Sequence, residues 1–289
     1  MSNRETIGVP AGSIELEVDG VRLAVAREGS GPAVICLHAI GHGGGDFESL
    51  ASAIKHRFEV IRIDWPGQGR SGIDTKPLSP TRYAELLAGV VDRLKIHDPI
   101  IIGNSIGGAA ALLYAHNHPV RALVLCDTGG LVEVTPTVRR FCRLFERFFA
   151  AGARGAWWFP TAFRAYYRFV VLPTPAAAEQ RERIIAAGRE LAPILREAWA
   201  GFGRPEADIR SIAKSLDVPV WFAWGGKDKV IPLAACLPCI ETMKHASLTK
   251  FDAGHAAFLE QADTFTQEFL KFADGLQSAA LPAAIACCA

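Results

Sequence analysis

No sign of charge dominates this 289-residue sequence, in which 31 Lys and Arg balance 30 Asp and Glu to a formal net charge of +1. It therefore lacks the basic surplus that draws a chain onto nucleic acid or anionic membrane, and neither is expected as a partner. It also lacks any uninterrupted apolar run long enough to span a bilayer, and its opening residues Met1-Ser2-Asn3-Arg4-Glu5-Thr6 carry no signal-peptide stretch. A cytoplasmic location is expected. Internal repeats are lacking too, and so is a disulfide framework. The seven cysteines are odd in number and scattered, two of them in apolar strand-like runs, which predicts reduced thiols. Cys236 and Cys239 have redox-motif spacing but follow Pro232 at a helix start, and a single such pair cannot build a four-ligand zinc site.

What is present is apolar mass: 50% of the residues are hydrophobic and 21% charged, the balance of a globular protein with a large interior. The length suits one large α/β domain with an inserted subdomain. Around Asp19-Gly20, residues 13–26 alternate apolar with polar, predicting an edge hairpin with one face covered. Continuous apolar runs follow at 33–37, 58–63, 100–103 and 122–126, the pattern of parallel strands buried on both faces. Helix-like stretches at 47–56, 79–94 and 107–116 separate them. Strand, helix, strand in repetition predicts an α/β fold with a mostly parallel, doubly wound sheet and an antiparallel N-terminal edge.

The texture changes after Asp127-Thr128-Gly129-Gly130. Residues 131–212 show helical periods and no strand, beginning at Thr135-Pro136 with Val138, Phe141, Phe145 and Phe148 on one face. Strand patterns resume at 218–224 and 247–251, and a last helix is predicted over 257–276. The expected organisation is a core of 1–130 and 213–276, an inserted helical cap at 131–212 and a flexible tail at 277–289. That tail is Ala-rich, uncharged and ends in a Cys pair whose spacing does not fit a prenylation box.

The sharpest chemical feature is Gly103-Asn104-Ser105-Ile106-Gly107, between the buried run Ile100-Ile101-Ile102 and a helical stretch. A G-x-S-x-G at a strand-to-helix junction is a nucleophile elbow, whose small residues let the backbone turn sharply and lift the serine hydroxyl above the sheet edge. A helix N-terminus there favours developing negative charge. Serine is a weak nucleophile and needs a base, which in turn needs an orienting acid. His255, just after the last strand, suits the base, whereas His245 lies before that strand and is expected at the surface. Asp228, after a buried strand ending in Gly225-Gly226, suits the acid. Asp127 at the end of the preceding strand is an alternative, and Asp252, three residues before His255, is expected to face solvent. The backbone N–H of Ile106 is one oxyanion donor.

With these residues in view the sequence resembles the α/β-hydrolase superfamily over nearly its whole length. Cys36-Leu37-His38 is similar to that family's strand ending in His-Gly, and Asp64-Trp65-Pro66-Gly67-Gln68-Gly69-Arg70-Ser71 to its turn after the next strand. The resemblance implies that Ile40 N–H is the second oxyanion donor, although Ala39 stands where Gly is usual. His42 of the His42-Gly43-Gly44-Gly45 run is a pocket candidate. Trp157 and Trp158 belong to an aromatic group expected to pack the cap and line an apolar pocket. Asn104-Ser105-Ile106-Gly107-Gly108 also resembles the meta-cleavage-product hydrolases, which cleave carbon–carbon bonds. Their usual Pro-Gly after the oxyanion glycines is replaced here by Asp46-Phe47, and the Trp often found after their histidine by Ala256. Dehalogenases and epoxide hydrolases of the superfamily carry Asp at the nucleophile position, where Ser105 stands. The expectation is a serine esterase acting on a small to medium apolar carboxylic ester, without metal or organic cofactor, as a monomer or homodimer. A carbon–carbon hydrolase is the alternative, followed by a non-catalytic small-molecule binder.

Overall fold

The structure, a computed structural model, describes residues 12–279. Eight strands form one sheet: β1 (Ser13–Val18), β2 (Val21–Gly29), β3 (Ala33–Leu37), β4 (Glu59–Ile63), β5 (Ile100–Asn104), β6 (Ala122–Cys126), β7 (Val220–Gly225) and β8 (Ala246–Phe251). Their order is β1-β2-β4-β3-β5-β6-β7-β8, with β1-β2 and β2-β4 antiparallel and every later pair parallel. This is the mixed sheet the patterning predicts. Strands β5, β6 and β7 are buried at every residue because helices cover both faces, which is why they read as unbroken apolar runs. Only β1 of the N-terminal hairpin is an edge, since β2 also pairs with β4. Asp19 and Gly20 both turn with positive φ, 48° and 76°, as a two-residue hairpin turn matching the strand twist requires.

The helices are α1 (Glu48–Ile54), α2 (Pro80–Leu94), α3 (Ile106–Asn117), α4 (Pro136–Ala153), α5 (Phe159–Tyr166), α6 (Ala178–Ala186), α7 (Gly188–Phe202), α8 (Arg210–Ser215), α9 (Leu233–Ile240), α10 (Ala257–Glu260) and α11 (Ala262–Ala279). Ser79 caps α2 by accepting the Arg82 N–H at 3.0 Å, with Pro80 in the first turn where its missing donor costs nothing. Between β6 and β7 the chain is entirely helical and loop. There α4 packs along α7, joined by Phe145 stacked on Trp199 with ring centroids 4.4 Å apart. The expected cap boundary at 212 falls inside α8, which packs on α3 of the core. The final helix is two elements, α10 and α11, and continues to Ala279 through the first residues of the expected tail. The rest of that tail, from 280, lies outside the described residues. Among the described residues, no helix is long and apolar enough to cross a membrane.

Candidate functional site

Ser105 is the single residue between β5 and α3, held at φ 55° and ψ −116°, a backbone region that side chains avoid. Two flanking glycines make the turn possible. A Cβ on Gly103 would lie 2.6 Å from the Gly107 carbonyl oxygen, and one on Gly107 only 2.4 Å from that of Leu37. The Ser105 N–H donates to the Cys126 carbonyl at 3.0 Å, and its own carbonyl accepts from Gly108, Ala109 and Gly129. The serine is thereby fixed at the carboxyl edge of the sheet, 6% exposed.

His255 follows β8 and is 4% exposed. Its Nδ1 lies 2.9 Å from Asp228 Oδ2, while Asp228 Oδ1 accepts the N–H groups of Val230 at 2.7 Å and Ile231 at 3.2 Å. That arrangement favours the tautomer with its proton on Nδ1, which leaves the Nε2 lone pair free. The His255 backbone is clamped at both ends: its N–H donates to Val171 of the cap at 2.8 Å, and its carbonyl accepts from Asn104 Nδ2 at 2.9 Å. Asp252 and His245, set aside on sequence, are exposed and paired with Lys227 and Asp217. Asp127 is fully buried beside Asp228, with Oδ1 accepting the Gly225 N–H at 2.8 Å. Burial, and then the charge of Asp228, push its carboxyl well above the usual range.

The loop after β3 is braced from below. His38 Nε2 accepts the Trp65 N–H at 2.9 Å, and burial pushes its imidazole towards the neutral form. Gln68 accepts the Gly41 N–H at 2.6 Å and donates to the Tyr83 hydroxyl at 3.0 Å. Between these anchors lies Ile40, whose N–H has no hydrogen-bond partner among the described residues, as is also true of Ile106 N–H. His42 is buried rather than solvated: its Nδ1 lies 2.5 Å from Asp46 Oδ2, and Gln180 of α6 donates to the other oxygen of Asp46.

Ser105, His255, Ile40, Ile106 and His42 all open on one cavity of about 440 Å³. Its remaining wall is mostly apolar, with Leu131, Val138, Phe141, Trp199 and Phe202 from the cap side and Tyr166 and Tyr167 near the opening of the elbow. Burial pushes both phenols up, keeping them neutral. Trp157 and Trp158 are not in this wall, contrary to expectation. Trp157 is 87% exposed at the turn between α4 and α5, and Trp158 packs against Phe148 and Phe159 on the outer side of the cap. Asp127, Asp228 and His255 are the group among the described residues whose donor atoms, all within 4.8 Å, could together meet a metal ion. Both oxygens of Asp228 are already engaged by the imidazole and two N–H groups, which fits an acid–base set better than a cation site.

Three residues of the site escape sequence reasoning. Asn104 and Gln68 stand in motifs without a restriction on type at their positions. Glu260 is 2% exposed, accepting Gly254 N–H at 2.8 Å and Thr174 N–H at 3.1 Å, and so ties the His255 loop to the cap segment before α6. A glutamate five residues beyond the histidine, in an otherwise apolar stretch, is the one sequence signal it leaves.

Residues 32–262 match the model of the alpha/beta hydrolase fold family. The chain is 30% identical over 270 residues to a pimeloyl-[acyl-carrier protein] methyl ester esterase of Chromobacterium violaceum, an alignment covering 86% of this chain and 96% of that one. It is 25% identical to a 2-hydroxy-6-oxononadienedioate/2-hydroxy-6-oxononatrienedioate hydrolase of Comamonas testosteroni, covering 89% and 93%. Among solved structures, a thermophilic esterase from Thermogutta terrifontis superposes with a TM-score of 0.78 at 20% identity over 92% of this chain and 99% of that one, a likeness of fold.

Proposed function

The chain belongs to the alpha/beta hydrolase fold family, and on that footing we propose that it is a serine esterase cleaving a small to medium apolar carboxylic ester. The observation that carries the proposal is the 2.9 Å pair of His255 and Asp228, opening on the same largely apolar cavity as the strained Ser105. In this reading Ser105 Oγ attacks the acyl carbon as His255 Nε2 takes its proton, and the tetrahedral oxyanion is received by the N–H groups of Ile40 and Ile106. Collapse breaks the bond to the alkoxy oxygen, which leaves as the alcohol with the proton from His255. Water, deprotonated by His255, then attacks the acyl-enzyme and the acid departs with Ser105 restored. Asp228 keeps Nδ1 protonated and steadies the imidazolium throughout. Chemistry of this kind draws its nucleophile, base and oxyanion donors from the chain, so no metal or organic cofactor takes part.

The test is hydrolysis of p-nitrophenyl esters from acetyl to dodecanoyl, run beside Ser105→Ala. Turnover of a preferred chain length that the variant loses almost entirely is the expected result. Equal rates in both proteins, or inertness of both on every ester, would overturn it. The relative from Comamonas testosteroni favours a second reading, carbon–carbon cleavage by the same residues, which a coloured ring-fission diketone as substrate would reveal. Binding of esters without turnover would point instead to a small-molecule binder.

A further inference from the structure

The cycle above makes no use of Asp127. It follows β6 with φ at 45°, in the left-handed region that aspartate tolerates better than most side chains. Its side chain is wholly buried, with Oδ1 accepting Gly225 N–H at 2.8 Å and joining the ends of β6 and β7. The other oxygen, Oδ2, is buried with no N–H or O–H partner among the described residues. No salt bridge reaches Asp127 among the described residues. A bare carboxylate oxygen in the interior is expensive, and an explanation is needed for its retention.

The neighbours supply one. A carboxyl oxygen of Asp127 lies within 4.8 Å of both a carboxyl oxygen of Asp228 and a ring nitrogen of His255. Two carboxylates so close in a dry site cannot both ionise. Charge on Asp228 is supported by two backbone N–H groups and the imidazole, whereas Asp127 receives a single N–H. The proton therefore belongs on Asp127. We infer that Asp127 is a neutral carboxylic acid whose Oδ2 hydroxyl donates to the Asp228 carboxylate, a positioning residue that acts on His255 through Asp228. The orphan oxygen then has a partner, and His255 faces a carboxylate whose charge is partly drawn off by a second acid.

The other titratable groups facing the pair are Glu260 from α10, Cys126 from β6, Cys236 from α9 and Tyr166 from the cap. Burial pushes all four up, and none of them offers a positive charge to ionise Asp127. Burial, and then the charge of Asp228, push Asp127 itself in the same direction.

Two measurements test this. Infrared difference spectra of the wild type against Asp127→Asn, at about pH 8 and so far above the ordinary carboxylate pKa of about 4, should show the C=O stretch of one protonated carboxylic acid that the variant lacks. The second measurement is the pH profile of kcat/KM on the preferred ester. Asp127→Asn keeps a donor towards Asp228 and should hold the acid limb where the wild type has it, whereas Asp127→Leu loses the donor and should move the limb to higher pH. Absence of the infrared band overturns the inference, as does a limb moving to lower pH in both variants, the mark of an ionised Asp127. A limb unmoved in both overturns the positioning role and leaves Asp127 a tie between strands. The pH profile rests on the esterase reading and the infrared band does not, so the band in a protein inert towards esters would refute that reading alone. The band also decides the protonation state should Asp127→Leu fail to fold.

Discussion

Asn104 offers the sharpest test of how the site is held, because its side chain ties the end of β5 to the end of β6 and to the loop after β8. It occupies the unrestricted position of the elbow, fully buried, with Nδ2 donating to Cys126 O at 3.0 Å and His255 O at 2.9 Å. Its Oδ1 has no partner, so Asn104→Ala removes two hydrogen bonds and no third. Each is worth about 1 kcal/mol, and a carbonyl stripped of its donor in the interior adds about 1–3 kcal/mol. The two carbonyls are not equal. Cys126 O keeps the Ser105 N–H at 3.0 Å, whereas His255 O has Asn104 alone among the hydrogen bonds found. One full desolvation penalty and one partial loss sum to about 2–4 kcal/mol of destabilisation.

Catalysis should suffer separately. With Asn104 gone, the His255 backbone retains only its N–H contact to Val171 O. A drift of the imidazole by about 1 Å is enough to lower kcat about 10- to 100-fold. Urea unfolding of wild type and Asn104→Ala gives the first quantity, and kcat on the preferred ester at a temperature where both are folded gives the second. A stability loss below about 0.5 kcal/mol, the scatter of neutral surface changes, would mean that the carbonyls find other donors. A full stability loss with kcat intact would mean that Val171 and Asp228 position His255 without help from Asn104.

Trp199→Ala, which opens the cavity wall beside Phe145, should cost about 3 kcal/mol or more and shift the preferred p-nitrophenyl ester to a longer acyl chain; an unmoved optimum would place the acyl group elsewhere in the cavity. Trp157→Ala, at a residue 87% exposed, should change stability by less than about 0.5 kcal/mol and leave the kinetics as they are. Asp127→Asn should alter how stability depends on pH. Above the unfolded pKa of about 4 the unfolded chain has shed the Asp127 proton that the folded protein, with its raised pKa, still holds. Wild-type stability therefore falls relative to the variant by up to about 1.4 kcal/mol per pH unit, until the folded pKa is passed. Denaturation curves of the two proteins across that range would show a constant difference if Asp127 were ionised in the fold.

Much of the fold is legible because burial on two faces leaves so plain a trace. Ile100-Ile101-Ile102 and Ala122-Leu123-Val124-Leu125-Cys126 could not be half-exposed strands, and both lie in the centre of the sheet with no residue exposed. The elbow is legible for a similar reason, since Gly103 and Gly107 are demanded by backbone atoms within 3 Å of where a Cβ would stand. The tryptophans misled because a helical period reports that a face is apolar, not which body covers it. Phe145 turns inward onto Trp199, while Trp157 sits in a turn where no period applies.

His42 shows the same limit from the other side. The sequence offers His42 for the pocket but gives no sign of what holds it: the 3-10 turn at Gly44–Phe47 brings Asp46 back onto its ring, and the cap closes over both through Gln180. The least legible relation is that of Asp127 to Asp228. Each follows its own strand by a few residues, and either could have served as the acid. Only the pairing of β6 with β7, in the register Cys126 with Ala223, brings the two carboxyls to one place. Once they are there, the choice between them becomes a competition for one proton. It is decided by the N–H groups of Val230 and Ile231, two donors that with the imidazole support charge on Asp228 against the single Gly225 N–H on Asp127.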